Sequence, residues 1–236
     1  MLLLVVLALV LGACSDDDDE PASQSSDSAP AQTEEESPQA EAEGGGSGGG
    51  GCEAVEAPAP KPDGGAKRPE RALAAGRRYD VVLRTSCGDI TFRLDQKTSP
   101  KTAASFARLA KTGFFDGTTF HRIVPDFVIQ GGDPTGTGTG GPGYSTRDVP
   151  PPGTVYTQGV VAMAKTGAEP PGTSGSQFYI VTAPDAGLPP EYAVLGKVVA
   201  GQDVVDAIGK LGDPASADAG TPLQPVVIES AKLRVR

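Results

Sequence analysis

Arg122, Phe127 and Gln130 stand within nine residues of one another, in the stretch Phe120-His121-Arg122-Ile123-Val124-Pro125-Asp126-Phe127-Val128-Ile129-Gln130-Gly131-Gly132-Asp133. A planar guanidinium, an aromatic ring and an amide so close together make a small mixed site, with charged donors beside an apolar surface. The chain offers no nucleophile to match. Gly172-Thr173-Ser174-Gly175-Ser176 does not satisfy the Gly-x-Ser-x-Gly of a hydrolase elbow. The run 131–143 is rich in glycine and threonine but lacks the Gly-Lys-Ser/Thr of a phosphate loop. No Cys-x-x-Cys or Cys/His cluster has zinc spacing, so no metal is expected.

These residues need a rigid frame. Two short β-branched and aromatic runs joined by Val124-Pro125-Asp126 and closed by Gly131-Gly132 read as a hairpin. Ahead of it, Tyr79–Arg84 and Ile90–Leu94 form a first hairpin turned at Cys87-Gly88-Asp89. Ser99-Pro100 supplies an N-cap and first helical position, and Ala103, Phe106, Ala107, Leu109 and Ala110 make the apolar stripe of a helix ending near Gly113. Strands follow at 160–165, 177–182 and 193–199, then a short helix over 203–210 with Val204, Val205 and Ile208 inward, then a last strand over 226–235. About eight strands and two short helices describe an all-β, antiparallel sandwich or barrel.

Phe-His-Arg-Ile-Val-Pro-x-Phe-x-x-Gln-Gly-Gly-Asp resembles the signature of the cyclophilins, the peptidyl-prolyl cis-trans isomerases. Met163-Ala164 followed by Gly175-Ser176-Gln177-Phe178-Tyr179-Ile180 is similar to the family's second site strand, and Leu195-Gly196-Lys197-Val198 to its late strand. The resemblance spans about residues 79 to 236. It implies a closed eight-stranded antiparallel barrel capped by two helices. It also implies isomerase activity on Xaa-Pro bonds of proline-containing polypeptides, without cofactor, metal or ATP. Arg122 would be the donor to the twisting amide, with Gln130 holding its guanidinium and Phe127 at the proline. Met163, Tyr179 and Leu188 would line the proline pocket, with Ala164, Lys165 and Gln177 along the peptide groove and Tyr192 where the family commonly has His. Isomerisation moves no proton, so His121 is assigned a packing or hydrogen-bonding role rather than that of a base. Some positions depart from the best-known eukaryotic members: Lys165 replaces Asn, Val128 replaces Met, Tyr179 replaces Phe, and Gly187 stands where the drug-contacting Trp sits. Weak cyclosporin binding is the expectation from Gly187, and Tyr179 would admit a water or a polar group to the pocket.

The first third lies outside this resemblance. Residues 1–13, an apolar run too short to span a bilayer, read as a signal peptide, and Leu11-Gly12-Ala13-Cys14 resembles the bacterial lipobox, which implies cleavage before Cys14 and lipidation of its thiol; the alternative is an ordinary signal peptide with an incidental Cys14. Residues 15–60 hold 13 acidic side chains and no basic one, whereas 61–236 hold 20 basic and 17 acidic, a net of +3. The acidic, Gly-rich composition marks 14–78 as a disordered tether, and Lys61, Lys67, Arg68, Arg71, Arg77 and Arg78 read as its solvated end. Asp16–Asp19 lack the alternating ligands of a calcium loop. In an exported protein the two remaining cysteines, Cys52 and Cys87, point to a disulfide, with two free thiols as the alternative.

These readings combine into a lipid-anchored, extracytoplasmic isomerase at the outer face of a bacterial cytoplasmic membrane, with its domain over 79–236. Basic and aromatic residues are not interleaved, so no nucleic-acid partner is expected. A closed barrel leaves no free edge strand, which makes a monomer the expectation. Two other readings remain: a proline-peptide binding module or holdase without turnover on the same fold, and a surface lipoprotein whose tail is the functional part.

Overall fold

The computed structural model describes residues 51–236; the apolar run, Cys14 and the acidic tract up to residue 50 lie outside the described residues. Strands β1 (Tyr79–Thr85) and β2 (Gly88–Leu94) form the first hairpin. After α1 (Pro100–Lys111) come β3 (Thr118–Thr119), β4 (Arg122–Val124), β5 (Val128–Gly131), β6 (Thr146–Arg147), β7 (Val160–Met163), β8 (Thr173–Ser174), β9 (Phe178–Val181) and β10 (Val194–Ala200). The chain ends with α2 (Gln202–Gly209), a 3₁₀ turn (Pro214–Ala219) and β11 (Val227–Val235). The β6–β8 ribbon and the 3₁₀ turn are not among the elements expected from the sequence.

One antiparallel sheet of nine segments runs β3-β11-β1-β2-β10-β7-β9-β5-β4. Its two end members, β3 and β4, are halves of one run interrupted only by Phe120-His121, and Thr119 bridges to Asp133 just beyond β5. The sheet therefore closes on itself with eight staves. At the β2–β10 pairing the strands come so close that a Cβ on Gly196 would fall on the Arg93 carbonyl oxygen, which is why glycine stands there.

Period-2 alternation fills the interior from every stave: Val81, Leu83, Ile90, Phe92, Ile123, Ile129, Val161, Phe178, Ile180, Leu195 and Ile228 are buried in one cluster. α1 contributes Phe106 and Leu109 to it, and α2 contributes Val205 and Ile208. Phe106 stacks on Phe115 at 4.4 Å and meets Phe178 edge-on at 5.3 Å, so an aromatic group anchors α1 to the barrel.

The expected Ser99 cap is corrected. Ser99 precedes the helix, but its hydroxyl makes no capping bond and is buried without a partner. The Asp148 carboxylate accepts the Thr102 amide at 2.7 Å instead, so a residue 46 positions away caps the first turn and favours the helix dipole.

Residues 51–78 contain no helix or strand, yet they run along the barrel as a strap rather than as a solvated end. Cys52 is bonded to Cys87 in the β1–β2 turn, and the Glu53 amide donates to the Ser86 carbonyl at 2.8 Å. Lys61 sends its ammonium to the carbonyls of Gly113, Phe114 and Asp116 and lies 5.8 Å from the Phe114 ring centroid; burial lowers its pKa. The Gly64 amide donates to Gly141, the Ala66 amide to Pro142, and the Arg68 guanidinium to Ser145. Composition gives no signal of this order because the holding groups are mostly backbone carbonyls of the barrel loops.

Candidate active site

Alternation in the second hairpin sorts its residues by face. Ile123 and Ile129 pair across β4 and β5 and fill the barrel interior, which turns Arg122, Val124, Val128 and Gln130 outward. Register then carries the outer face across three pairings: Arg122 opposite Gln130, Gln130 opposite Tyr179, Tyr179 opposite Ala162. Four strands thus present Arg122, Gln130, Tyr179 and Ala162 as one transverse row.

Around that row lies a second apolar cluster. Val128, Tyr156, Val160, Ala162, Tyr179 and Val181 are buried there, with Phe127, Ala164, Leu188, Tyr192 and Val194 packed against them. A cavity of about 210 Å³ opens among Arg122, Phe127, Val128, Gln130, Ala164, Lys165, Tyr179, Leu188 and Tyr192. Apolar walls with one cationic fork and one amide suit a ring that must be held without being bonded.

Arg122 is held from two sides. Its Nε donates to the Asp218 carbonyl at 3.1 Å, its Nη1 reaches Gln130 Oε1 at 3.5 Å, and the guanidinium carbon lies 6.0 Å from the Phe127 ring centroid. Gln130 Nε2 in turn donates to Gln177 Oε1 at 3.0 Å. Gln177 donates to the carbonyls of Gly138 and Gly140 at 2.9 and 3.0 Å. The guanidinium is therefore oriented by a relay that ends on loop backbone.

Of the residues expected at the site, Arg122, Phe127, Gln130, Ala164, Lys165, Tyr179, Leu188 and Tyr192 line the cavity, and Gln177 lies one step along the relay. Met163 does not. It is 1% exposed and faces the barrel interior, because it alternates with Ala162 and Ala164 on β7 and its continuation. Val128 lines the cavity in addition, and its alternation with Gln130 is the signal that finds it. Asp218 is also new to the site; a backbone carbonyl on an irregular turn leaves no trace in residue types.

Lys165 is a strut. Its side chain is only 3% exposed, and the ammonium pairs with Glu191 at 3.0 Å, reaches the carbonyls of Thr166 and Glu169, and lies 5.3 Å from the Tyr192 ring centroid. Its donors are thereby turned toward the protein. Tyr192 is fixed further by Tyr156, whose hydroxyl donates to the Tyr192 carbonyl at 2.7 Å and accepts its amide at 3.0 Å.

His121 is largely buried, and burial lowers its pKa, so it is neutral at pH 7. The Tyr179 hydroxyl is also buried with no protein group to bond, and burial drives its pKa far above the ordinary tyrosine value. Replacing Tyr179 by Phe is therefore expected to raise stability by about 1 kcal/mol, the cost of a desolvated hydroxyl being removed. Urea unfolding of the two proteins checks this; a loss of stability would mean that solvent satisfies the hydroxyl.

A closed barrel carrying an arginine-oriented proline-sized pocket on its outer face defines the cyclophilin class. The chain belongs to that family: the model for cyclophilin type peptidyl-prolyl cis-trans isomerase/CLD matches residues 80–233. It is 42% identical over 174 residues to peptidyl-prolyl cis-trans isomerase B of Streptomyces anulatus, covering 66% of this chain and 97% of that one. It is 44% identical over 134 residues to human peptidyl-prolyl cis-trans isomerase-like 1, covering 55% of this chain and 79% of that one. Among solved structures, a Cryptosporidium parvum cyclophilin type isomerase superposes with TM-score 0.60 at 31% identity, over 66% of this chain and 98% of that one. A second structure of the same enzyme, obtained in the presence of the dipeptide Ala-Pro, gives TM-score 0.59.

Proposed function

We propose that this protein accelerates cis-trans rotation about Xaa-Pro bonds in exported polypeptides, as a monomer anchored through Cys14 to the outer face of a bacterial cytoplasmic membrane. Rotation must break amide resonance against a barrier of about 18 to 20 kcal/mol, and no covalent bond changes. A catalyst has only to grip the proline ring and favour the twisted amide, whose nitrogen has regained its lone pair. The observation that carries the reading is Arg122, held by Asp218 and Gln130 with its remaining donors beside the apolar cavity. A holdase would need the cavity but not an oriented guanidinium. Exchange NMR on a short Xaa-Pro peptide is the test: catalytic amounts of protein should collapse the separate cis and trans signals, and binding without exchange would favour the holdase.

The membrane part of the reading rests on the lipobox-like Leu11-Gly12-Ala13-Cys14, and the extracytoplasmic part also on the Cys52–Cys87 disulfide, a bond that persists in oxidising compartments. No helix among the described residues is long and apolar enough to cross a membrane. Cys14→Ser is expected to move the protein from the membrane fraction to the soluble fraction and to abolish labelling by a radioactive fatty acid. Retention with unchanged labelling would overturn the anchor.

A further inference from the structure

The strap over residues 51–78 lies outside the matched family region, and it builds a surface that the barrel alone lacks. Pinned by Arg68 to Ser145 and by the Ala74 amide to the Tyr79 hydroxyl at 3.1 Å, residues 69–72 form one wall of a cleft of about 770 Å³. The start of α1, β6 and the loop around Glu169 form the rest. Arg68, Arg71, Lys101 and Arg147 line it against only two carboxylates, Glu70 and Glu169. None of the four cations has a carboxylate within ion-pair distance among the described residues. Arg68 and Arg147 each spend one donor on a backbone carbonyl, Ser145 and Pro171; Arg71 and Lys101 make no side-chain hydrogen bond among the described residues.

This cleft borders the site through one intermediate hollow. It shares Ser145 and Glu169 with a neighbouring hollow of about 590 Å³, and that hollow shares Gln130, Ala164 and Lys165 with the proline cavity. A polypeptide whose proline occupies the cavity would meet this row of bordering hollows, a trough leading to the strap.

We propose that the trough is a client-binding channel and that its strap-walled end takes an acidic segment of the client, several residues away from the isomerised proline. Unpaired cations in a concave site attract a negatively charged chain over distances up to about a Debye length, roughly 8 Å at physiological salt. The chemistry at this end is electrostatic and tolerant of sequence, whereas the proline cavity sets the register. The proposal rests on the isomerase reading, since the client enters through that cavity.

The test uses the full chain and one Xaa-Pro core peptide, bare or extended on either side by a Gly-Ser spacer and three Glu, three Ser or three Lys. Dissociation constants come from fluorescence titration at 50 and 300 mM salt, and turnover from exchange NMR. The Glu-extended peptide, on one side of the proline, should bind about tenfold tighter than its Ser counterpart at low salt, with the advantage shrinking at high salt and the Lys version binding worst. In Arg71→Glu/Lys101→Glu, with folding checked by thermal melting, the Glu-to-Ser ratio should fall to one or below. Should that variant not fold, the salt dependence in the unaltered protein decides. Equal affinity for Glu and Ser extensions, or a ratio untouched by the double substitution, overturns the proposal. So does a triglutamate peptide without proline that binds as tightly as the joined one, because the cleft would then stand apart from the client path. If Glu-extended peptides bind as expected but no peptide is turned over, the isomerase reading fails and the channel survives.

Discussion

Arg122→Ala is expected to lower kcat/KM for Xaa-Pro rotation by about 10²- to 10³-fold, the range seen when one oriented donor to a developing charge or lone pair is removed. The apolar walls supplied by Phe127, Val128, Tyr179 and Leu188 remain, so the peptide should still bind. The loss should fall mainly on kcat, because the guanidinium is asked to favour the twisted amide over the planar one. Arg122→Lys should recover little. An ammonium keeps the charge but not the geometry in which Nε is spent on Asp218, Nη1 faces Gln130 and the other donors stay free in one plane. Gln130→Ala should cost less than Arg122→Ala, since the Asp218 carbonyl still holds one edge of the fork. Line-shape NMR across a temperature series checks all three, with circular dichroism to show that the barrel is intact. A variant lacking Arg122 that turns over at the ordinary rate would leave the pocket's apolar grip as the whole of the catalysis.

How much of this could be read beforehand depended on which physical signal each residue carries. The barrel strands are legible because one face of each packs a common interior: Ile123, Ile129 and Phe178 alternate with Arg122, Gln130 and Tyr179, and the alternation alone sorts core from site. The same rule shows why Met163 was misplaced. The family resemblance brings it into the expected pocket, while period 2 turns it inward. The strap could not be read from composition, because the bonds that hold it run from lysine, arginine and backbone amides to carbonyls that every residue possesses. Asp218, Asp148 and the 3₁₀ turn are in the same category, acting through position across long sequence separations. The Cys52–Cys87 pair was legible in principle from cysteine count, yet the consequence was not: it fastens the start of the strap beside the first hairpin.

Asp133→Asn is expected to destabilise the domain by about 3 kcal/mol, or roughly 6 to 12 °C in melting temperature for a domain of this size. Asp133 is fully buried just beyond β5, where one carboxylate oxygen accepts the amide and hydroxyl of Thr135 at 2.7 and 2.8 Å and the other accepts the amides of Gly138 and Gly140 at 2.6 and 3.2 Å. An asparagine would present its NH₂ either to the Gly138 and Gly140 amides, losing both bonds, or to Thr135, where the amide loses its acceptor and only the hydroxyl can turn to accept. The loop is drawn so tightly over the carboxylate that a Cβ on Gly140 would fall on Asp133 Oδ1. Burial alone would raise the pKa of Asp133, but its hydrogen bonds outweigh that effect and hold the carboxyl below its ordinary value. The sign follows from linkage: a depressed carboxylate contributes stability that is complete above its unfolded value near about pH 4 and is lost as pH falls through the lower folded value. Denaturant titrations from pH 7 down to pH 2.5 should therefore show the gap between the original protein and Asp133→Asn narrowing below about pH 4, and a gap constant with pH would remove Asp133 as its source. Function should follow the loop. The carbonyls of Gly138 and Gly140 hold Gln177, Gln177 holds Gln130, and Gln130 faces Arg122, so loosening the loop is expected to raise KM and lower kcat by a few-fold while leaving every cavity-lining residue in place.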